Sequence, residues 1–141
     1  MTQMSEPQWR EFVMTGTRTG KLAVTRGDGR PHVTPIWFVL DGDDLVFNTA
    51  ETGVKGTSLR RELRAALCVD DQQPPYSFVS VEGGVTLSGD APEVLRWATT
   101  IGVRYMGAQR GAEFGARNAV PGELLVRLHA DKVIAMSDVS D

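Results

Sequence analysis

One cysteine and two histidines are all that this chain offers of the residues that most often hold metals or form cross-links. Cys68 can make neither an internal disulfide nor a cysteine-rich zinc site. Its setting, Ala65-Ala66-Leu67-Cys68-Val69, reads as an apolar strand that buries it as a small hydrophobe. His32 and His129 lie far apart, so no metal site is expected. No GxSxG elbow is present, and no nucleophile–base pair can be read from spacing. Long apolar runs are also missing, as is the hydrophobic core of a signal peptide near Met1. The expectations are therefore no membrane insertion and a cytoplasmic location. Positive charge is not in excess, because the net charge is −3. That argues against bulk binding of nucleic acid, so no nucleic-acid partner is expected.

What the chain does have is the composition of a globular protein, 41% apolar and 23% charged over 141 residues. One domain over residues 1–141 suits that length. Ser5 followed by Gln8 reads as a capping box opening a helix to about Met14. Strands are predicted at Lys21–Arg26, Pro31–Asp41, Leu45–Thr49, Ala65–Asp70, Tyr76–Glu82, Val85–Gly89, Leu124–Leu128 and Lys132–Met136, with turn residues between them. Helices are predicted at Val54–Leu63, with Leu59 and Leu63 stacked, and from Pro92 to about Tyr105, with Val94, Leu95, Ala98 and Ile101 on its apolar face. Gly107 to Gly122 reads as an irregular, glycine-rich loop over a site. Asp43-Asp44 and Asp70-Asp71 flank strands as turn residues. The pattern is that of a small, mostly antiparallel barrel of the α+β class, with six to eight strands and flanking helices.

Two features ask for more than packing. Leu45–Thr49 runs through a polar turn into a helix whose first turn holds Lys55, Gly56, Thr57 and Ser58. Free N–H groups at a helix start, with hydroxyls and a lysine, make a cradle for a phosphate. It is not a Walker loop, since the lysine precedes its glycine, and the same residues would serve an ordinary capped helix on a solvated basic face. Second, Pro35-Ile36-Trp37-Phe38-Val39-Leu40 is apolar on both faces. One face can line the barrel; the other is to be covered by a homodimer partner or by the chain's own helices.

Three runs then occur in order: Gly29-Arg30-Pro31-His32-Val33-Thr34-Pro35-Ile36-Trp37-Phe38, Val54-Lys55-Gly56-Thr57-Ser58-Leu59-Arg60-Arg61 and Tyr76-Ser77-Phe78-Val79-Ser80-Val81-Glu82-Gly83. Together they resemble the split β-barrel flavin and deazaflavin superfamily related to pyridoxamine-phosphate oxidases. Within it they are most similar to the small deazaflavin reductases that use coenzyme F420, the PPOX class. The resemblance spans about Gly20 to Ser137. It implies a homodimer with two sites at the subunit interface and a small-molecule substrate. It also implies that Lys55, Gly56, Thr57 and Ser58 hold the coenzyme's phosphate. Many relatives have Asn at the position of Ser58 and Asp at that of Glu62; Ser58 can still donate a hydrogen bond to a phosphate, with a shorter side-chain reach than Asn. Asn48 and Thr49 would approach the ring or ribityl chain, and His32, Thr34, Pro35, Ile36 and Trp37 would run along the ring. Tyr76 and Phe78 would contact the coenzyme from the partner subunit, or pack the barrel. Arg60, Arg61 and Arg64 would meet the acidic tail of the coenzyme, or form a solvated helix face.

The chemistry implied is hydride transfer to a conjugated acceptor such as an enone or quinone. The protein's part is to hold the ring, exclude water and place the acceptor. The accompanying proton would come from Tyr105, His32 or solvent, and no residue is singled out as catalytic. Two further readings keep the fold: an FMN-dependent oxidase, and a carrier of deazaflavin or flavin that catalyses nothing.

Overall fold

The computed structural model describes residues 1–141. In chain order the elements are β1 (Thr2–Gln3), α1 (Glu6–Met14), β2 (Gly20–Thr25), β3 (Pro31–Ile36), β4 (Val39–Asp41), β5 (Asp44–Ala50), α2 (Val54–Glu62), β6 (Arg64–Asp71), β7 (Ser77–Ser88), α3 (Ala91–Met106), a 3-10 turn (Ala108–Arg110), α4 (Gly111–Asn118), β8 (Glu123–His129) and β9 (Lys132–Ser137). The strands pair antiparallel in the order β3-β2-β6-β7-β8-β5-β4, with β9 also on β7 and β1 on β9. This is the split barrel of the α+β class, with nine strands once the two-residue β1 is counted. The capping box forms: the Gln8 amide donates to Ser5 Oγ, and the Ser5 amide donates to Gln8 Oε1 at 2.7 Å.

Alternation along the strands builds the interior. Leu22, Leu67, Val69, Val79, Val81, Leu45, Phe47, Val126, Leu128 and Phe38 fill the barrel, all nearly or wholly inaccessible to solvent. A second cluster lies outside it, where Val94 and Ile101 of α3 pack on Val39, Val46 and Leu125. This cluster explains the two-faced apolar segment. Phe38 enters the barrel, while Val39 and Trp37 are covered by α3 and α4 of the same chain. The inference of a partner from that segment is therefore corrected: its second face is buried intramolecularly.

Six other expectations change in instructive ways. The predicted strand from Pro31 to Asp41 breaks at Trp37-Phe38, so β3 pairs with β2 and β4 with β5. Gly83-Gly84 does not turn the chain but lies inside the continuous β7, which pairs with β6 and β9 before it and with β8 after it. A Cβ on Gly83 would overlap the His129 carbonyl oxygen, so this glycine serves close approach of two backbones. Gly107 to Gly122 is not irregular; most of it is the 3-10 turn and α4. Its glycines are interhelical spacers, since a Cβ on Gly115 would overlap Thr99 Oγ1 and one on Gly111 would overlap Val103 Cγ2. Finally, Leu63 is the left-handed C-cap of α2 (φ 51°) and is exposed, whereas Leu59 is fully buried. Leu95 is likewise exposed on α3, and Cys68 is half-buried rather than enclosed. No helix is long and apolar enough to cross a membrane.

Candidate functional site

β3 and β5 lie at and near opposite ends of the strand order, and a cleft of about 550 Å³ separates them. Alternation puts His32, Thr34 and Ile36 of β3 on one wall, followed by Trp37. Asn48, Thr49 and Ala50 of β5 form another wall, and the chain then turns so that Gly53, Val54 and Lys55 close one end. Ile101 of α3, Asn118 at the end of α4 and Glu123 at the start of β8 complete the lining.

The start of α2 is open. Gly53 is its N-cap and contributes no side-chain hydrogen bond, so the first-turn amides have no side-chain acceptor. Lys55 makes no ion pair, which leaves its ammonium as a free positive charge at the cleft. Gly56 has a packing reason to be glycine, because a Cβ would overlap the Ala50 carbonyl oxygen. Thr57 is exposed and Ser58 is buried beside Leu59; neither lines the cleft.

Two polar atoms on the β3 wall, His32 Nδ1 and Thr34 Oγ1, are buried and have no hydrogen-bond partner. Such atoms cost free energy unless a ligand or solvent group meets them. Opposite them, Asn48 Nδ2 donates to Glu123 Oε1 at 2.7 Å and to the Asn118 carbonyl at 3.1 Å. Burial pushes the Glu123 carboxyl above the usual carboxylate range, against the Asn48 hydrogen bond and the Lys55 charge, which both pull it down.

Of the residues singled out in the sequence, the cleft thus gathers His32, Thr34, Ile36, Trp37, Asn48, Thr49 and Lys55. Pro35 is exposed and does not line the cleft; it borders an adjoining recess with Ile36 and Trp37. Tyr76 and Phe78 line a separate recess with Asp70, Asp71 and Val139. Arg60 and Arg61 donate to the carbonyls of Glu51 and Thr25, and Arg64 pairs with Glu62; none borders the cleft within one chain. Glu123 and Asn118 were missed. Glu123 reaches the cleft because β8 pairs with β5, Ala50 opposite Glu123, a long-range register with no local signal.

Tyr105, one of the three proton sources considered, is engaged with the backbone. Its hydroxyl donates to the Arg18 carbonyl and accepts from the Phe38 amide, and its ring stacks on Trp37 at 5.0 Å with planes 5° apart. Next to it, Arg104 donates to the carbonyls of Phe38, Val13 and Gly16. Together these two side chains of α3 satisfy the peptide groups exposed where β3 breaks from β4. Burial pushes the Tyr105 hydroxyl above its ordinary value, and desolvation lowers that of Arg104.

The sequence profile of the pyridoxamine 5'-phosphate oxidase family matches residues 5–137. The chain belongs to this family. Members of the pyridoxamine 5'-phosphate oxidase family share the split barrel, and solved structures agree with it. A conserved hypothetical protein of Mycobacterium tuberculosis superposes with a TM-score of 0.84 at 23% identity, covering 99% of this chain and 92% of that one. A structure described as an F420 reductase gives 0.69 at 22% identity, with 91% and 95% covered. A FAD-binding protein of Mesorhizobium loti gives 0.68 at 18%, with 95% and 93% covered. At these identities the superpositions establish the fold.

Proposed function

We propose that this family member is an oxidoreductase dependent on coenzyme F420, which passes a hydride from the reduced deazaflavin to a conjugated small-molecule acceptor. The observation that carries this reading is one cleft with an uncapped helix start and a free lysine at one end, and unpartnered polar atoms along the wall leading to Trp37. That pattern fits a long planar ligand with a phosphate. The coenzyme would supply the hydride; a proton completes reduction of the acceptor. Lys55 and the first-turn amides of α2 would hold the phosphate, with Gly56 allowing the helix to sit against the turn. His32, Thr34 and Asn48 would bond the polar groups of the ring and ribityl chain, and Trp37 would stand beside the edge of the ring. Tyr105 is engaged by two backbone groups and does not line the cleft, which favours His32 or solvent as the source of the proton.

We further propose that the protein is a homodimer. The outward side of the sheet places Val33 beside Ala23 and Ala66, and Ile134 beside Ser80 and Cys68. Val33 is 66% exposed and Ile134 47%. A second copy would bury this surface, and could bring Tyr76 and Phe78 to its neighbour's cleft. Light scattering should give twice the 15.4 kDa chain mass; a micromolar monomer would remove the composite site.

A flavin reading competes because the family profile is that of an oxidase. Titration with coenzyme F420 and with FMN, followed by fluorescence and heat, separates the two. Tighter F420 binding, with reduced coenzyme consumed only when an enone or quinone is added, is the expected result. Tighter FMN binding with oxygen consumption would establish the oxidase instead, and binding of F420 with no turnover on any acceptor would establish a carrier.

A further inference from the structure

We propose that the recess adjoining the cleft is an acceptor subsite selective for planar molecules that carry a carboxylate, with Arg117 as the group that selects them. This rests on the oxidoreductase reading for its biological sense, but the recess can be tested without any coenzyme. The recess measures about 410 Å³, shares Ile36, Trp37 and Asn118 with the cleft, and adds Thr19, Pro35, Phe114 and Arg117.

Its floor is aromatic and fixed. Trp37 lies flat against Tyr105, whose hydroxyl is held by two backbone groups, and tilts by 50° against Phe114 at 5.7 Å. The helix carrying Phe114 and Arg117 is clamped to α3 by contacts that admit no Cβ at Gly111 or Gly115. A planar conjugated body can therefore stack on a surface that is already in place.

The charge is equally specific. Two guanidinium groups lie over the Phe114 ring, Arg110 at 4.8 Å and Arg117 at 5.1 Å. Arg110 is neutralised by Glu113, with 3.1 Å between Nε and Oε2. Arg117 has no carboxylate within ion-pairing distance and no hydrogen bond, and it is the one charged residue of the recess. A guanidinium steadied on an aromatic face, with its N–H fork free, suits bidentate capture of a carboxylate. No carboxylate lines the recess: Glu123 lies in the cleft, and Glu113, whose carboxyl is lowered chiefly by Arg110 and more weakly by Arg117, is paired with Arg110.

The test uses 2-naphthoate and 2-naphthamide, which share one planar body and differ in charge. Calorimetric titration of the coenzyme-free protein should show the naphthoate binding about two- to fivefold more tightly, a range set by the exposure of Arg117. Arg117→Gln should abolish that difference while leaving naphthamide binding unchanged. Arg117→Lys should restore part of it, and added salt should narrow it. Naphthoate should also bind protein already saturated with coenzyme. Equal binding of the two probes, equal weakening of both by Arg117→Gln, or displacement of coenzyme by naphthoate would each overturn the subsite. Failure of F420 to bind while the charge preference persists would count against the coenzyme assignment and leave the subsite standing.

Discussion

The phenol of Tyr105 accepts a hydrogen bond from the backbone amide of Phe38 at 3.2 Å, tying α3 to the point where β3 gives way to β4. An amide that leaves a β ladder inside a protein must find an acceptor elsewhere. Tyr105→Phe removes that acceptor and should cost about 1–3 kcal/mol in urea unfolding. Since the hydroxyl serves the fold, the variant should keep hydride transfer at saturating substrate. A stable variant without turnover would single out Tyr105 as the proton donor.

Lys55 contributes its charge to the cleft and to no ion pair. Lys55→Ala should leave thermal stability nearly unchanged, within about 0.5 kcal/mol. It should weaken coenzyme binding by about 1.5–3 kcal/mol, the range for hydrogen bonds to charged groups. Calorimetric titration reads both affinities. Unaltered affinity in the folded variant removes the phosphate assignment.

Thr34 offers a sharper contrast. Its hydroxyl oxygen has no partner in the free protein, so Thr34→Val should be neutral or stabilising without ligand. The same change should weaken coenzyme binding by about 0.5–1.5 kcal/mol. Opposite signs in melting temperature and affinity are the signature; a loss of stability alone would mean that the hydroxyl is needed only for packing.

Glu123 governs a pH effect whose sign follows from its burial. Its carboxyl is raised in the folded state above the ordinary 4.5, so folding favours the protonated form. The corresponding stability is present below the ordinary value and is lost as pH rises through the folded one. Glu123→Gln keeps an acceptor for Asn48 and carries no charge. It should therefore melt higher than the parent at pH 7 but not at pH 4, by no more than about 1 kcal/mol because the group is partly solvated. A lower melting point at pH 7 would show that the ionised carboxylate is an asset to the fold. At pH 7 the variant should also bind an anionic coenzyme more tightly, having removed a negative charge near Lys55.

Much of this architecture is written locally in the chain. Strand alternation, the Ser5 capping box and the helix start at Val54 are short-range patterns, and they led to the barrel and to one end of the cleft. What escaped was set by tertiary contact. Gly83, Gly111 and Gly115 look like flexible punctuation, yet each marks a place where two backbones or helices meet without room for a Cβ. Trp37 and Phe38 look like one continuous strand, because the side chains that compensate the break, Arg104 and Tyr105, lie more than sixty residues away. Glu123 entered the site only through its pairing opposite Ala50.

The strand β7 also bears on how the molecule comes apart. Its first half is hydrogen-bonded to β6 and β9 and its second half to β8, with no loop between them. Neither half of the barrel can lose its sheet without dragging on a strand that the other still holds. The protein should behave as a single cooperative unit. Amide protons of Val81 and Leu87, on opposite sides of Gly83-Gly84, should then exchange with solvent through one shared opening event.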